Sequence, residues 1–509
     1  MRPLVRWCGG AAIAVLAAVL MAGGGTAAPA AQDLVIDTGA AAVLNLDPVR
    51  WRSTLEKNVL SLIYERLTRY DNAMRLRPGL AESWRVEADR VTWTFTLRQG
   101  VKFHDGTPLT AAAVRASFER ILDPRSVSLA GALYRESMET VTAVDDRTLR
   151  IKTRGPYAAL PQLLAGWGGE IACPEAVRQG DAFNSRGCGS GPYRVESFAP
   201  RDRLALARVA DYWGEKGVAP RLTVRVIPED ASRVAALTSG QTHVLLGLPP
   251  HQVDFLRQNP RFRIADNRSM YMDYLAFNLQ AKPFDDRRVR LAVTHAINAD
   301  DIVRRVYSSN IVPFGGPVHP SLVGYDPTVR PYPYNLAKAR QLLQEAGQSG
   351  LRMTFSYTDT PTQVRMAEVI QAQLREAGID VTLRKWEFAA YTPMLVRGDQ
   401  QLFIWGFGNS AGDAFWTMYS LFRSTASRFL NVGRYRNPAV DETLDQIRGE
   451  LDEKRRAALI SKTSRIIAAD ASHVLFLAPK NNIAHLATVA GIEPYPVGDF
   501  TMFAKAHRQ

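Results

Sequence analysis

The stretch Pro78–Arg120, PGLAESWRVEADRVTWTFTLRQGVKFHDGTPLTAAAVRASFER, carries the strongest structural signal in the chain. From Val91 to Leu97 the residues alternate, with Val91, Trp93, Phe95 and Leu97 on one face, the pattern of a half-buried strand. His104-Asp105-Gly106-Thr107-Pro108 supplies a turn. Thr110 then stands as the N-cap of a helix whose apolar stripe is Val114, Phe118 and Ile121. Periodicity alone therefore predicts strand, turn and amphipathic helix.

Working outward, Leu34–Thr38 reads as a strand ended by Leu46-Asp47-Pro48, and a helix follows through Asn58–Tyr64. Thr148–Lys152 is a further strand, and Ala158–Leu164 a short helix after Pro156. From Gly189 the run GSGPYRVESFAPRDRLALARVADYWGEKGVAP predicts a hairpin turning near Pro200-Arg201-Asp202 and closing at Asp211-Tyr212-Trp213-Gly214. Leu222–Leu246 reads as strand, helix, strand, with Asp230 as the helix cap. Beyond Tyr271 the character changes to regular alternation of strand and helix. Tyr274–Asn278 is a strand, and Asp286 caps a helix with Val289, Val293 and Ala296 inward. Asn335 caps another that ends at Gly347. Met353–Thr358, Ile379–Trp386 and Gln401–Phe407 are strands. A helix from Thr360-Pro361 to Gly378 and one over Phe415–Phe422 alternate with them. The tail returns to two strand-like segments, Val474–Ala478 and Ile483–Leu486.

These runs carry wording as well as pattern. The Pro78–Arg120 block, GSGPYRVESF with DYW, YLAFN with PFDDRRVRLAV, and AEVIQAQLREAGI resemble, in that order, the bacterial extracellular solute-binding proteins of family 5, the peptide and nickel receptors of ABC importers. The resemblance covers about residues 33 to 505. It implies an α/β protein of two lobes around a cleft, with an extra subdomain inserted in the first lobe. Lobe one would take 31–66, 190–271 and 481–509, the insertion 67–189 and lobe two 272–480. A short peptide or glutathione-like compound would be the ligand, with a nickel chelate or an oligosaccharide as alternatives, and a membrane permease the partner, with no cofactor and no metal. A monomer is expected.

Composition agrees with that class. A chain of 509 residues exceeds one core, and 46% apolar with 22% charged residues is ordinary for a globular protein. Arg2, Arg6, the apolar run Ala11–Met21 and Ala28-Pro29-Ala30 make residues 1–30 a cleavable signal peptide with Ala31 as the mature start. Cys8 precedes the apolar run, where a lipid-anchored protein would carry its cysteine after it, so a free periplasmic protein is expected. Net charge is +13, falling to +11 without Arg2 and Arg6. The excess is dispersed, with no basic run interleaved with aromatics, which argues against nucleic acid. Cys173 and Cys188, fifteen apart in an exported chain, are expected to bridge, the alternative being two buried thiols. The eight histidines are scattered and none takes ligand spacing with a cysteine.

One motif points elsewhere. Gly408-Asn409-Ser410-Ala411-Gly412 matches G-x-S-x-G, the nucleophile elbow of α/β-hydrolases, between an apolar strand and a helix. Asp441 and Asp470, then His473, His485 and His507, follow in the required order, though nothing in the sequence favours one pairing. The family resemblance instead makes this loop a lining of the cleft, bringing Asn409 and Ser410 to the ligand. Peptide-binding members of one branch hold the ligand ammonium with an Asp three residues after a Trp. Aligning Phe407 with that Trp places Ser410 there, a departure that removes the charge. Gly412-Asp413-Ala414 resembles the glutathione-type branch, making Asp413 the amine partner. The local alternative is that Asp413 caps the following helix.

Arg365 matches the family arginine that precedes Met-Ala-Glu and meets the ligand carboxylate. In the first turn of its helix it would join unpaired backbone N–H groups in holding an anion, the alternative being a solvated surface arginine. Trp405, Phe407, Trp416 and Trp167 are the aromatics expected at the cleft, with core packing as the alternative for each. His104-Asp105 would suit catalysis in isolation, but its place in the family turn implies a structural role.

Overall fold

The structure, a computed structural model, describes residues 32–509 apart from 40–42, 52–53, 127, 129, 250–251, 269, 309–310, 410, 495 and 497–498. The expected leader, residues 1–30, lies outside the described residues.

The predicted strand-turn-helix forms as read. The strand Thr92–Leu97 buries Trp93, Phe95 and Leu97. Thr110 accepts from the Ala113 N–H and caps helix Ala111–Leu122, which buries Val114, Phe118 and Ile121. The turn between them is a scaffold, because Asp105 accepts from the Thr107 N–H at 3.0 Å. His104 Nε2 lies 3.0 Å from the Gly191 carbonyl, and burial pushes its imidazole below the usual range. The strand belongs to a four-stranded antiparallel sheet in the order Ala81–Val86, Thr92–Leu97, Thr148–Thr153, Met138–Ala143.

The principal sheet has twelve strands. One flank runs Tyr193–Ala199, Arg203–Arg208, Arg221–Val226, Leu34–Thr38 and Val244–Leu246. The other runs Tyr271–Phe277, Leu402–Gly408, Arg352–Thr358 and Asp380–Trp386. A single strand, His473–Leu486, stands between them. Its first half pairs with Tyr271–Phe277 and Ile311–Phe314, and its second half with Phe262–Arg268 and Val244–Leu246. The sequence predicts two segments here because Pro479 has no N–H to give a ladder and polar residues follow it. The strand continues because partners change at that point: Pro479 pairs with Ile311 and Lys480 with Arg268.

Helices cover the second flank as its alternation requires. Asp286 and Asn335 accept from the N–H groups of Arg288 and Lys338 and start the helices Arg287–His295 and Leu336–Glu345. Val289, Val293 and Ala296 are fully buried. Gly378, at φ 84°, ends the helix Pro361–Glu376 in a left-handed conformation that favours glycine. Two local expectations shift. Glu229, not Asp230, is the N-cap of helix Asp230–Ser239, accepting from Ala231 and Ser232. The first helix spans Thr54–Leu60, after which the chain turns, and the Tyr64 hydroxyl donates to the Leu46 carbonyl at 2.8 Å.

Cys173 and Cys188 are bonded, with Cα atoms 5.6 Å apart, and the Cys173 N–H donates to the Cys188 carbonyl. The bridge ties the start of helix Pro174–Gln179 to the segment leading into Tyr193–Ala199. Closing a loop of this length constrains the unfolded chain by about 3 kcal/mol. The double variant Cys173→Ser/Cys188→Ser is therefore expected to lose about 2–4 kcal/mol of unfolding free energy, read from urea denaturation.

Candidate functional site

Three strands of the second flank, Arg352–Thr358, Asp380–Trp386 and Leu402–Gly408, are parallel. In open α/β sheets ligands meet the chain beyond the carboxyl ends of such strands. Two of the sequence-read features leave from that edge: the helix that carries Arg365 starts three residues after Thr358, and the loop of Asn409 and Asp413 follows Gly408.

The strand end is shaped by what lies across it. A Cβ on Gly406 would meet the Tyr271 hydroxyl at 1.6 Å, so only glycine lets that ring cross the backbone. A Cβ on Gly408 would come within 3.3 Å of the Trp167 ring. The Tyr70 hydroxyl donates to the Ala411 carbonyl at 2.6 Å, and Gly412 lies against Tyr70 and Met74. Residues from the first part of the chain, Tyr70, Met74 and Trp167, thus cover the loop that the second flank presents. Below the strand end, burial pushes the Asp273 carboxyl up to about 6 against the Tyr271 and Tyr307 hydroxyls.

Within the loop, Asn409 is 1% exposed. Its amide donates to the Asp413 carbonyl and to Thr417 Oγ1, both at 2.8 Å, while its Oδ1 has no partner. Asp413 caps helix Ala414–Phe422, accepting from the Phe415 N–H at 2.9 Å. Arg456 grips both of its oxygens at 2.7 and 2.8 Å. The local cap reading of Asp413 therefore holds, and its charge is matched by a buried guanidinium. The pair lines a cavity of about 580 Å³ with Tyr70, Trp84, Gly412 and Glu450.

The other sequence-read residues divide. Phe407 packs on Trp416 with centroids 6.2 Å apart. Trp405 is half-buried against Tyr391 and Phe429. Trp167 stands edge to face with Trp51 at 5.8 Å. Arg365 is exposed, and it is the fifth residue of helix Pro361–Glu376, one position beyond the first turn that the sequence predicts for it. It shares no hydrogen bond, ion pair or ring contact with the loop among the described residues. Ser410 lies outside the described residues.

The hydrolase alternative is not supported. His473 meets Ser472 Oγ and the Gly315 carbonyl, His485 the Leu486 carbonyl and His507 the Lys505 carbonyl. Asp470 accepts from Tyr435 and Asn437, and Asp441 from the Ser424 N–H. Among the described residues no acid holds any of these three imidazoles, so the triad's general base is missing.

Sequence reasoning missed Arg456, Tyr70, Trp51 and Lys57. Lys57 is 5% exposed, with its Nζ 2.9 Å from the Trp167 ring centroid. Arg456 sits in a helix rich in cations and Lys57 is the lone cation of a short helix, and neither pattern gives a sign that the side chain is buried.

A two-flank α/β sheet joined by one strand, with a loop at the parallel edge covered from across the molecule, defines a solute receptor of the periplasmic-binding-protein type. The family model "Bacterial extracellular solute-binding proteins, family 5 Middle" matches residues 75–429, and the chain belongs to that family, the substrate-binding proteins of ABC importers. It is 30% identical to the glutathione-binding protein GsiB of Shigella dysenteriae serotype 1 over 486 residues, covering 93% of this chain and 94% of that one. Among solved structures it is similar to the periplasmic binding protein DppA of Helicobacter pylori in complex with the peptide STSA, with TM-score 0.81, 27% identity, and 94% and 98% of the two chains covered. HbpA2 of Haemophilus parasuis shares the fold at TM-score 0.84 and 24% identity, over 94% of this chain and all of that one. No described helix is long and apolar enough to cross a membrane.

Removing the Asp413 charge leaves Arg456 buried and unpaired, which costs about 3–5 kcal/mol. Asp413→Asn is expected to lower the stability of the ligand-free protein by about that amount in urea unfolding. A loss below about 1 kcal/mol would deny the pair its role in holding the loop.

Proposed function

We propose that the protein is a periplasmic receptor that binds a short peptide or glutathione-like compound between two lobes and delivers it to its ABC permease. The observation that carries this reading is the loop Gly408–Gly412, set at the parallel strand edge and covered by Tyr70, Met74 and Trp167. The GsiB relative and the peptide-bound DppA fold support the ligand class. Residues 1–30 would be removed on export. Lobe one would comprise 31–66, 190–271 and 481–509, with 67–189 inserted, and lobe two 272–480. The four-stranded sheet supports the insertion, and the partner change at Pro479-Lys480 supports the boundary. The protein acts as a monomer and breaks no bond.

In this reading Arg365, unpaired and at the strand edge, takes the ligand α-carboxylate. Trp167, Trp405, Phe407 and Trp416 give the cleft its apolar surface. Asn409 Oδ1 offers a free acceptor to the ligand amine, beside Ser410. Asp413, matched by Arg456, adds only a partial negative field there.

The test is isothermal calorimetry on protein unfolded and refolded to strip bound solute, with glutathione, trialanine, a nickel–histidine chelate and a disaccharide. Binding of glutathione or trialanine is expected. Arg365→Ala should weaken both by about tenfold or more, the worth of a charge-assisted hydrogen bond, with the melting temperature of the free protein unchanged. Binding of only the chelate or the sugar would overturn the ligand class, and steady release of product from a peptide would overturn the receptor reading.

A further inference from the structure

Lys57 lies on helix Thr54–Leu60 in an environment that fits no ordinary structural lysine. Its ammonium is caged by two indoles, 2.9 Å from the Trp167 ring centroid and 5.6 Å from that of Trp51. No hydrogen bond or ion pair reaches it among the described residues. The carboxylate with the largest influence on it, Asp499, accepts from Arg66 through Oδ2 at 2.7 Å and keeps a buried Oδ1 without a partner among the described residues, and Glu170 is held by the same guanidinium. The neighbouring Glu56 is turned to the Leu44 and Asn45 N–H groups. Burial pushes the Lys57 ammonium well below the usual lysine range, with Asp499 opposing.

The caging rings repeat the pattern. Trp51 Nε1 and Trp167 Nε1 are both buried, and neither has an acceptor. Three buried donors, the Lys57 ammonium and the two indole N–H groups, are therefore without a hydrogen-bond acceptor among the described residues, although a buried donor normally finds one. Cation–π attraction offsets part of the cost of the buried charge but supplies nothing to the indole N–H groups. The cage also adjoins the loop, since Trp167 is the ring that lies over Gly408.

We propose that Lys57, Trp51 and Trp167 form an anion subsite that takes a carboxylate of the bound solute, so that the receptor selects ligands with a second carboxylate over neutral peptides. The inference rests on the reading that the solute lies beside Gly408. Arg365 takes one carboxylate at the strand edge, and the Lys57 cage takes the other from the opposite side. A glutathione-like molecule, with two carboxylates and one ammonium, has the charges this arrangement asks for; trialanine lacks the second anion.

The test compares wild type with Lys57→Met and Lys57→Gln, reading the dissociation constants of glutathione and trialanine by calorimetry and the melting temperature of each free protein. Both variants are expected to bind glutathione about tenfold or more weakly, the worth of one charge-assisted hydrogen bond. Trialanine affinity should stay within about twofold, and free Lys57→Met should melt no lower than wild type, because a buried unpaired charge is gone. Equal losses for both ligands, or unchanged glutathione affinity with a lowered melting temperature, would make Lys57 a structural residue and overturn the proposal while leaving the receptor reading intact. Failure of wild type to bind either compound would overturn the ligand class and the subsite together.

Discussion

The structure hangs on one strand. His473–Leu486 spends its first half pairing with Tyr271–Phe277 and its second with Phe262–Arg268, and each half completes a different flank of the principal sheet. The backbone hydrogen bonds on either side of Pro479 therefore belong to different flanks, while one apolar core, with Leu34, Val224, Tyr274 and Phe403 in it, runs across both. Two further clusters flank it, one around Leu237, Leu245, Leu256 and Phe262, the other around Phe277, Val293, Phe355 and Ile370.

The loop Gly408–Asp413 depends on that frame. Its strand is fixed between Tyr271–Phe277 and Arg352–Thr358, and its far end is pinned by the Asp413–Arg456 pair. Gly406 and Gly408 admit the Tyr271 and Trp167 rings, so the strand end meets both its neighbouring strand and the first part of the chain. The electrostatics divide in the same way. Asp413 carries a charge matched by a bidentate guanidinium and builds the loop; Lys57 has no hydrogen-bonded partner among the described residues and is opposed only through the field of Asp499.

Most of the fold was legible because it is written in local rules. Thr110, Asp286 and Asn335 cap the helices they announce, and Gly378 ends the one it follows. The misreadings have different causes. Pro479 broke the pattern locally, but strand continuity there is set by partners far away in sequence. Glu229 takes the cap with a carboxylate that accepts from the Ala231 and Ser232 N–H groups, while Asp230 pairs with Arg233. At the site, the motif-bearing loop was found while its supports were not. Arg456 and Lys57 look like surface cations, and only tertiary packing buries them. Asp413 shows the converse: a carboxylate that suits a ligand amine in sequence is already occupied in the fold.

Small-angle X-ray scattering of stripped protein, free and with saturating glutathione, tests the hinged receptor most directly. A strand that lets two lobes close on a solute requires a smaller radius of gyration in the bound form. Identical scattering curves at an occupancy verified by calorimetry would contradict it.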